Sequence, residues 1–232
     1  MSPLSEAFRS LRTALQFTTA DGAPKSLLVT SSRPGEGKST TAVCLAANFA
    51  QLGMRVLLID GDLRNPSVHR LLSLDNAVGL SNFLASSTDS SKLTQSCMID
   101  GVSVLTTGPL PPNPAELLAG PRFVSLLTTA VETFDMVIID GPPVMGLADA
   151  PIIASVAAGT LMVVECGGTR RAIVRDALRR LHFARARLVG ALLNKFDPGA
   201  AGHTYGYSYA YAYGSNSYYT YGPPPKPALP ET

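Results

Sequence analysis

The run Ser32-Arg33-Pro34-Gly35-Glu36-Gly37-Lys38-Ser39 packs two glycines, a lysine and a hydroxyl into one short stretch. Glycines let successive backbone N–H groups converge on an anion at the start of a helix, a lysine reaches the outer phosphates, and a hydroxyl ligates Mg²⁺. Pro34, Gly35, Glu36, Gly37, Lys38, Ser39 and Thr40 are therefore expected to hold ATP, with Mg²⁺ on Ser39. Ser32 stands where such loops usually carry their first glycine.

Two acidic sites accompany the loop. Asp60 closes the apolar run Leu57-Leu58-Ile59 and is followed by Asp62, and Asp140 closes Val137-Ile138-Ile139 ahead of Gly141-Pro142-Pro143. Ligands of open parallel sheets bind at the carboxyl ends of the strands, so these carboxylates are expected to converge on the loop and its metal. A third feature lies far downstream. All eight tyrosines, Tyr205, Tyr207, Tyr209, Tyr211, Tyr213, Tyr218, Tyr219 and Tyr221, fall in a neutral Gly/Ser/Ala tail. One chain thus holds a phosphoryl donor site and a set of possible phosphoryl acceptors.

Positioning these groups requires a sheet. Apolar runs at 26–31, 55–60, 102–106, 136–140, 160–165 and 188–193 read as strands. Helical patterns at 38–52, 121–133, 147–157 and after Thr169 alternate with them. This alternation predicts an α/β fold of the P-loop NTPase kind, a mostly parallel sheet flanked by helices. Residues 61–103 read as mixed, with a short helix at 68–72. In the last helix Ile173, Val174, Ala177, Leu178 and Leu181 are expected inward, and Arg171, Arg175 and Arg179 outward. An opening helix begins at Ser2-Pro3 and carries an apolar stripe of Leu4, Phe8, Leu11 and Leu15, expected to pack, with Glu6, Arg9 and Arg12 on an outward face. Beyond Pro198 apolar periodicity stops, and the composition cannot bury enough surface to offset chain entropy. The expected division is one domain at 1–197 and a flexible tail at 198–232.

Composition narrows the function classes. Charged residues make up 16% and the net charge is only +2, so no broad field for nucleic acid is expected. Cys44, Cys97 and Cys166 have neither metal-ligand nor redox spacing, which suits buried thiols in a reducing cytosol. No signal peptide is visible, and the most apolar stretch, 151–166, is broken by Gly159 and too short to span a bilayer of about 30 Å. His69-Arg70 is followed by Leu71, and no Asp-Phe-Gly is present, so a eukaryotic-type kinase site is excluded.

Ser31-Ser32-Arg33-Pro34-Gly35-Glu36-Gly37-Lys38-Ser39-Thr40, Leu57-Leu58-Ile59-Asp60-Gly61-Asp62-Leu63-Arg64 and Ile138-Ile139-Asp140-Gly141-Pro142-Pro143 resemble the Walker A, A′ and B motifs of bacterial tyrosine kinases. The phrase Leu110-Pro111-Pro112-Asn113-Pro114-Ala115-Glu116-Leu117-Leu118 is similar to one found in that family. The wider class resembled, deviant-Walker positioning ATPases, carries a signature lysine where this chain has Arg33. The resemblance implies an ATP-dependent protein-tyrosine kinase. In it Lys38 would neutralise the transferring phosphoryl, and Ser39 and Asp140 would hold Mg²⁺. Asp60 and Asp62 would position metal and orient the phenol, Asp60 also as a metal ligand. Asn194 falls where related ATPases contact adenine.

The resemblance implies further that the tail is the autophosphorylation site and that Glu6, Arg9 and Arg12 form the contact between subunits of a homo-oligomeric ring. It also implies a membrane adaptor of the polysaccharide co-polymerase type, a cognate tyrosine phosphatase, control of capsular or exopolysaccharide synthesis, and a cytoplasmic protein recruited to the inner face of the membrane. From the residues alone the tail also reads as a strand edge, a sticky segment or a base-stacking strip. The last normally interleaves Arg or Lys, and none lies between His203 and Lys226. Two rival functions stand beside the kinase, a positioning ATPase and a nucleotide-stabilised assembly module.

Overall fold

Val, Leu and Ile dominate the central strands because those strands are covered on both faces and need no polar side. The computed structural model of the chain describes residues 3–20, 22–85 and 93–196. Its strands are β1 (Ser26–Ser31), β2 (Val56–Asp60), β3 (Gln95–Ser96), β4 (Val102–Leu105), β5 (Met136–Asp140), β6 (Gly159–Glu165) and β7 (Leu188–Asn194). They form one sheet in the order β3-β4-β2-β5-β1-β6-β7, parallel throughout except for β3 against β4. The helices are α1 (Pro3–Gln16), α2 (Lys38–Ala50), α3 (Val68–Leu71), α4 (Leu80–Ala85), α5 (Pro114–Ala119), α6 (Pro121–Thr133), α7 (Asp149–Val156) and α8 (Arg171–Phe183). The unit Met1–Lys195 contains all of them.

Alternate residues of the central strands feed two separate cores. Leu28, Leu57, Ile59, Val137 and Ile139 face one layer, where they meet Phe123, Ile153 and Leu181 of α6, α7 and α8. Leu27, Val29, Val56, Leu58, Met136 and Ile138 face the other, with Leu45 and Phe49 of α2 and Leu15 of α1. Phe49 and Phe123 are fully buried, and each such ring contributes roughly 1.5–3 kcal/mol relative to exposure.

The three strands that end at the site lie side by side. Val29 of β1 pairs with Asp140 of β5, and Asp60 of β2 pairs with Asp140 from the other side. This register brings the P-loop after β1 and both acidic strand ends to one edge of the sheet.

Several expectations need correction. On α1 only Leu15 is buried; Leu4 is 64% exposed, because the helix leans on α2 by its C-terminal half. Arg12 does not look outward, since its Nη1 donates to the carbonyl of Asn48 at 2.9 Å. The three cysteines are half-buried and reduced rather than fully enclosed. Helices α4 and α5 and the short strand β3 were not anticipated, because each is too brief to show a periodicity.

Candidate active site

The chain leaves β1 at Ser31 and enters α2 at Lys38 through the phosphate loop. Gly35 (φ 85°) and Gly37 (φ 93°) adopt the left-handed conformation that side chains disfavour, which is why glycine occupies both positions. A Cβ on Gly37 would also strike the amide of Asn194. Ser32, at the place of the missing glycine, is fully buried, and the Ser32 carbonyl accepts from Met145 N–H at 3.2 Å.

Glu36 braces the loop from below. Its buried carboxylate accepts from the Arg33 N–H at 2.8 Å, the Glu165 N–H at 3.4 Å and the Thr169 hydroxyl. Asn194 Nδ2 donates to the Glu36 carbonyl at 2.9 Å, and Lys195 Nζ donates to the Gly35 carbonyl at 2.8 Å and pairs with Glu165 at 2.8 Å. The side chain of Glu36 is thus turned into the protein, leaving only its backbone to face a ligand. The end of β7 works as a clamp on the loop, a role that sequence reading did not find for Asn194 or Lys195.

Lys38 is nearly buried and lies between two acids. Its Nζ is 3.0 Å from Asp62 Oδ2, 3.7 Å from Asp140 Oδ1 and 3.4 Å from the Ser39 hydroxyl. Burial pulls the ammonium pKa down, but the carboxylates of Asp140, Asp62 and Asp60 outweigh it, and the pKa stands above its ordinary value. Asp62 is oriented by its own loop, since Oδ1 accepts from the N–H groups of Arg64 (3.3 Å) and Asn65 (3.0 Å).

Asp60 behaves differently. Its oxygens accept from the backbone N–H groups of Asp62, Ser67 and Val68 at 3.3, 3.0 and 3.0 Å. Burial raises its pKa, opposed by the Val68 and Ser67 N–H groups. Asp60 therefore shapes the loop that presents Asp62. Arg64 fastens the same loop to α7 through a two-pronged bond to the buried Asp149 at 2.7 and 3.1 Å.

Asp140 is fully buried, and neither of its oxygens makes a hydrogen bond of ordinary geometry among the described residues. Burial pushes its pKa up to about 7 even though the Lys38 charge and the nearby Ser39 hydroxyl pull the other way. An unsatisfied carboxylate beside a loop serine fits a hydrated divalent cation. No group of three His, Cys, Asp or Glu among the described residues forms a cage. Mg²⁺ keeps waters and phosphate oxygens and takes only one or two carboxylates, so Asp140 beside Ser39 offers the kind of ligands it takes.

A cleft of about 430 Å³ opens over these groups. The loop residues Pro34, Gly35, Gly37, Lys38, Ser39 and Thr40 line one side, and Asp62, Arg64, Asn65, Ser67, Leu71, Pro143 and Leu147 the other. Lys38, Asp62 and Asp140 are thus brought together, with Asp60 one step behind. Glu6, Arg9 and Arg12 lie apart on α1, where Arg9 is 3.6 Å from Glu6. The tyrosine positions lie outside the described residues.

A nucleotide phosphate loop on a parallel sheet, backed by acidic strand ends, defines a P-loop NTPase. Residues 23–194 match the ParA family, described as NUBPL iron-transfer P-loop NTPase. The tyrosine-protein kinase YwqD of Bacillus subtilis is 43% identical over 190 residues, which are 82% of this chain and 80% of that protein. The chimerical protein CapA2B2 superposes with a TM-score of 0.80 at 36% identity, covering 84% of this chain and 86% of the other. The kinase domain of the Escherichia coli tyrosine kinase ETK superposes with a TM-score of 0.79 at 36% identity, covering 82% and 74%. The chain belongs to the bacterial tyrosine-kinase family, a branch of the ParA-type P-loop NTPases. No helix among the described residues is long and apolar enough to cross a membrane.

Proposed function

We propose that the chain uses ATP to phosphorylate tyrosines of its own tail, residues 198–232, and does so between subunits. The observation that carries this reading is the placement of Asp62, held by two backbone amides and 3.0 Å from Lys38, on the open side of the phosphate-loop cleft. The phenol oxygen forms a bond to the γ-phosphorus as the bridging bond to ADP breaks, and the phenolic proton passes to Asp62. A loose transition state asks little of the nucleophile, so an acceptor whose ordinary pKa is near 10 serves if it is well placed. Lys38 offsets the charge on the phosphoryl oxygens, while the N–H groups around Gly35 and Gly37 fix the phosphates. Asp60 holds the Asp62 loop. Ser39 and Asp140 are the residues that would hold Mg²⁺, whose chemistry is to neutralise phosphate charge.

Each phosphotyrosine adds about 1.5 to 2 negative charges, which turns a neutral tail anionic and favours its departure from the site. The resemblance of the motifs at 31–40, 57–64 and 138–143 to those of bacterial tyrosine kinases implies the setting we propose, capsular or exopolysaccharide synthesis at the inner face of the membrane, with a membrane adaptor as activator and a phosphatase as counterpart. Glu6, Arg9 and Arg12 of α1 would form the ring contact. Incubation with γ-labelled ATP and Mg²⁺ should put label on tail tyrosine of the intact chain and none on a chain ending at about Gly199. Free phosphate alone would mark a positioning ATPase, and neither product an assembly module.

A further inference from the structure

Basic charge is unevenly placed in this chain. Between Arg170 and Arg187 stand seven arginines and one acid, Asp176, although the whole chain carries a net charge of only +2. The remainder of the molecule is therefore net acidic. Helix α8 arranges three of these arginines in a row: Arg171, Arg175 and Arg179 recur every fourth residue and are all exposed. Phe183 continues the same spacing and is 83% exposed. The opposite side of the helix carries Ala177 and Leu181, which are buried in the core.

The arginines are not consumed within the fold. Arg171 and Arg175 make no ion pair among the described residues, and Arg179 has one loose contact with Asp176 at 3.5 Å. Arg185 and Arg187 extend the exposed basic surface toward β7, where Leu188 is 44% exposed. Behind Phe183 lies an apolar groove of about 560 Å³ between α7 and α8, lined by Pro151, Ile152 and Ala184.

We propose that this face of α8 docks on an anionic lipid surface, the arginine row meeting headgroups and Phe183 entering the interface. Charge complementarity commits the surface to a partner dense in negative charge. The exposed phenyl ring and Leu188, set beside the arginines, favour a lipid interface over an acidic peptide, because an interface takes up an aromatic tip and cations together. Each arginine near such a surface strengthens partition roughly fivefold. The energy is electrostatic over a Debye length, so binding falls as salt rises.

Flotation of the full chain with vesicles tests this. Phosphatidylglycerol-containing vesicles should carry the protein up and pure phosphatidylcholine vesicles should not. The triple variant R171E/R175E/R179E should lose partition by at least about tenfold, and Phe183→Ala by a few-fold. Binding of a fluorescent ATP analogue should be unchanged in both variants, which shows that they fold. Equal flotation with both lipids, or unchanged flotation of the triple variant, would overturn the proposal. So would a phosphotyrosyl peptide that binds the arginine row while the vesicles do not.

Discussion

At the scale of single residues, the most telling group is Asp140. Its pKa of about 7 in the folded protein stands against an ordinary 3.8. Between these values the unfolded chain is ionised while the folded one still holds the proton, so this group lowers stability steadily from about pH 4 to 7. Asn cannot ionise. The nucleotide-free Asp140→Asn variant should therefore melt increasingly above the wild type as pH rises through that interval, and the gap should stop growing above it. A gap in Tm that stays constant with pH would show that Asp140 is not buried unsatisfied. Among the other acids the aspartates divide by partner rather than by sequence position. Asp62 faces Lys38 and Asp60 faces backbone amides, although the two are separated by a single glycine. Nothing in their spacing distinguishes them, because the division is made by the turn at 61–68, which returns N–H groups to Asp60.

At the scale of elements, the strands that carry the site were legible and the pieces that fasten it were not. β1, β5 and α6 have the bounds that their apolar runs and flanking prolines imply. The clamp at the end of β7 was invisible, since a loop carbonyl met by an amide distant in sequence by 158 residues leaves no local pattern. α5 spans only Pro114–Ala119, too brief for an apolar periodicity, although Asn113 stands before it, Pro114 opens it and Gly120 follows it. The outward placement of Arg171, Arg175 and Arg179 on α8 is borne out, whereas the local density of positive charge there is hidden by a whole-chain balance of only +2. Asn194→Ala tests the clamp. Loss of one half-buried hydrogen bond to the loop is worth about 1 kcal/mol, so nucleotide affinity should fall about fivefold while the sheet stays intact. An affinity equal to that of the wild type would show that β7 does not order the loop.

At the scale of the whole molecule, the donor site and the acceptor proposed for the tail have opposite physical requirements. A phosphate loop works only when its amides are fixed, as Glu36, Asn194 and Lys195 fix them here. An acceptor must enter and leave. Under the proposed function, separating the two would let one copy serve as enzyme and another as substrate, and oligomer formation through α1 would be part of the activity. The most direct measurement mixes a chain that cannot catalyse with a chain that cannot accept. Lys38→Met with an intact tail lacks the charge that the phosphoryl group needs, a loss of at least about 100-fold on its own, and a wild-type body ending near Gly199 lacks acceptors. With γ-labelled ATP and Mg²⁺, the mixture should label tail tyrosines of the Lys38→Met chain. If those tails stay unlabelled while the intact wild type labels itself, transfer between subunits is contradicted; if the wild type stays unlabelled too, so is the kinase itself.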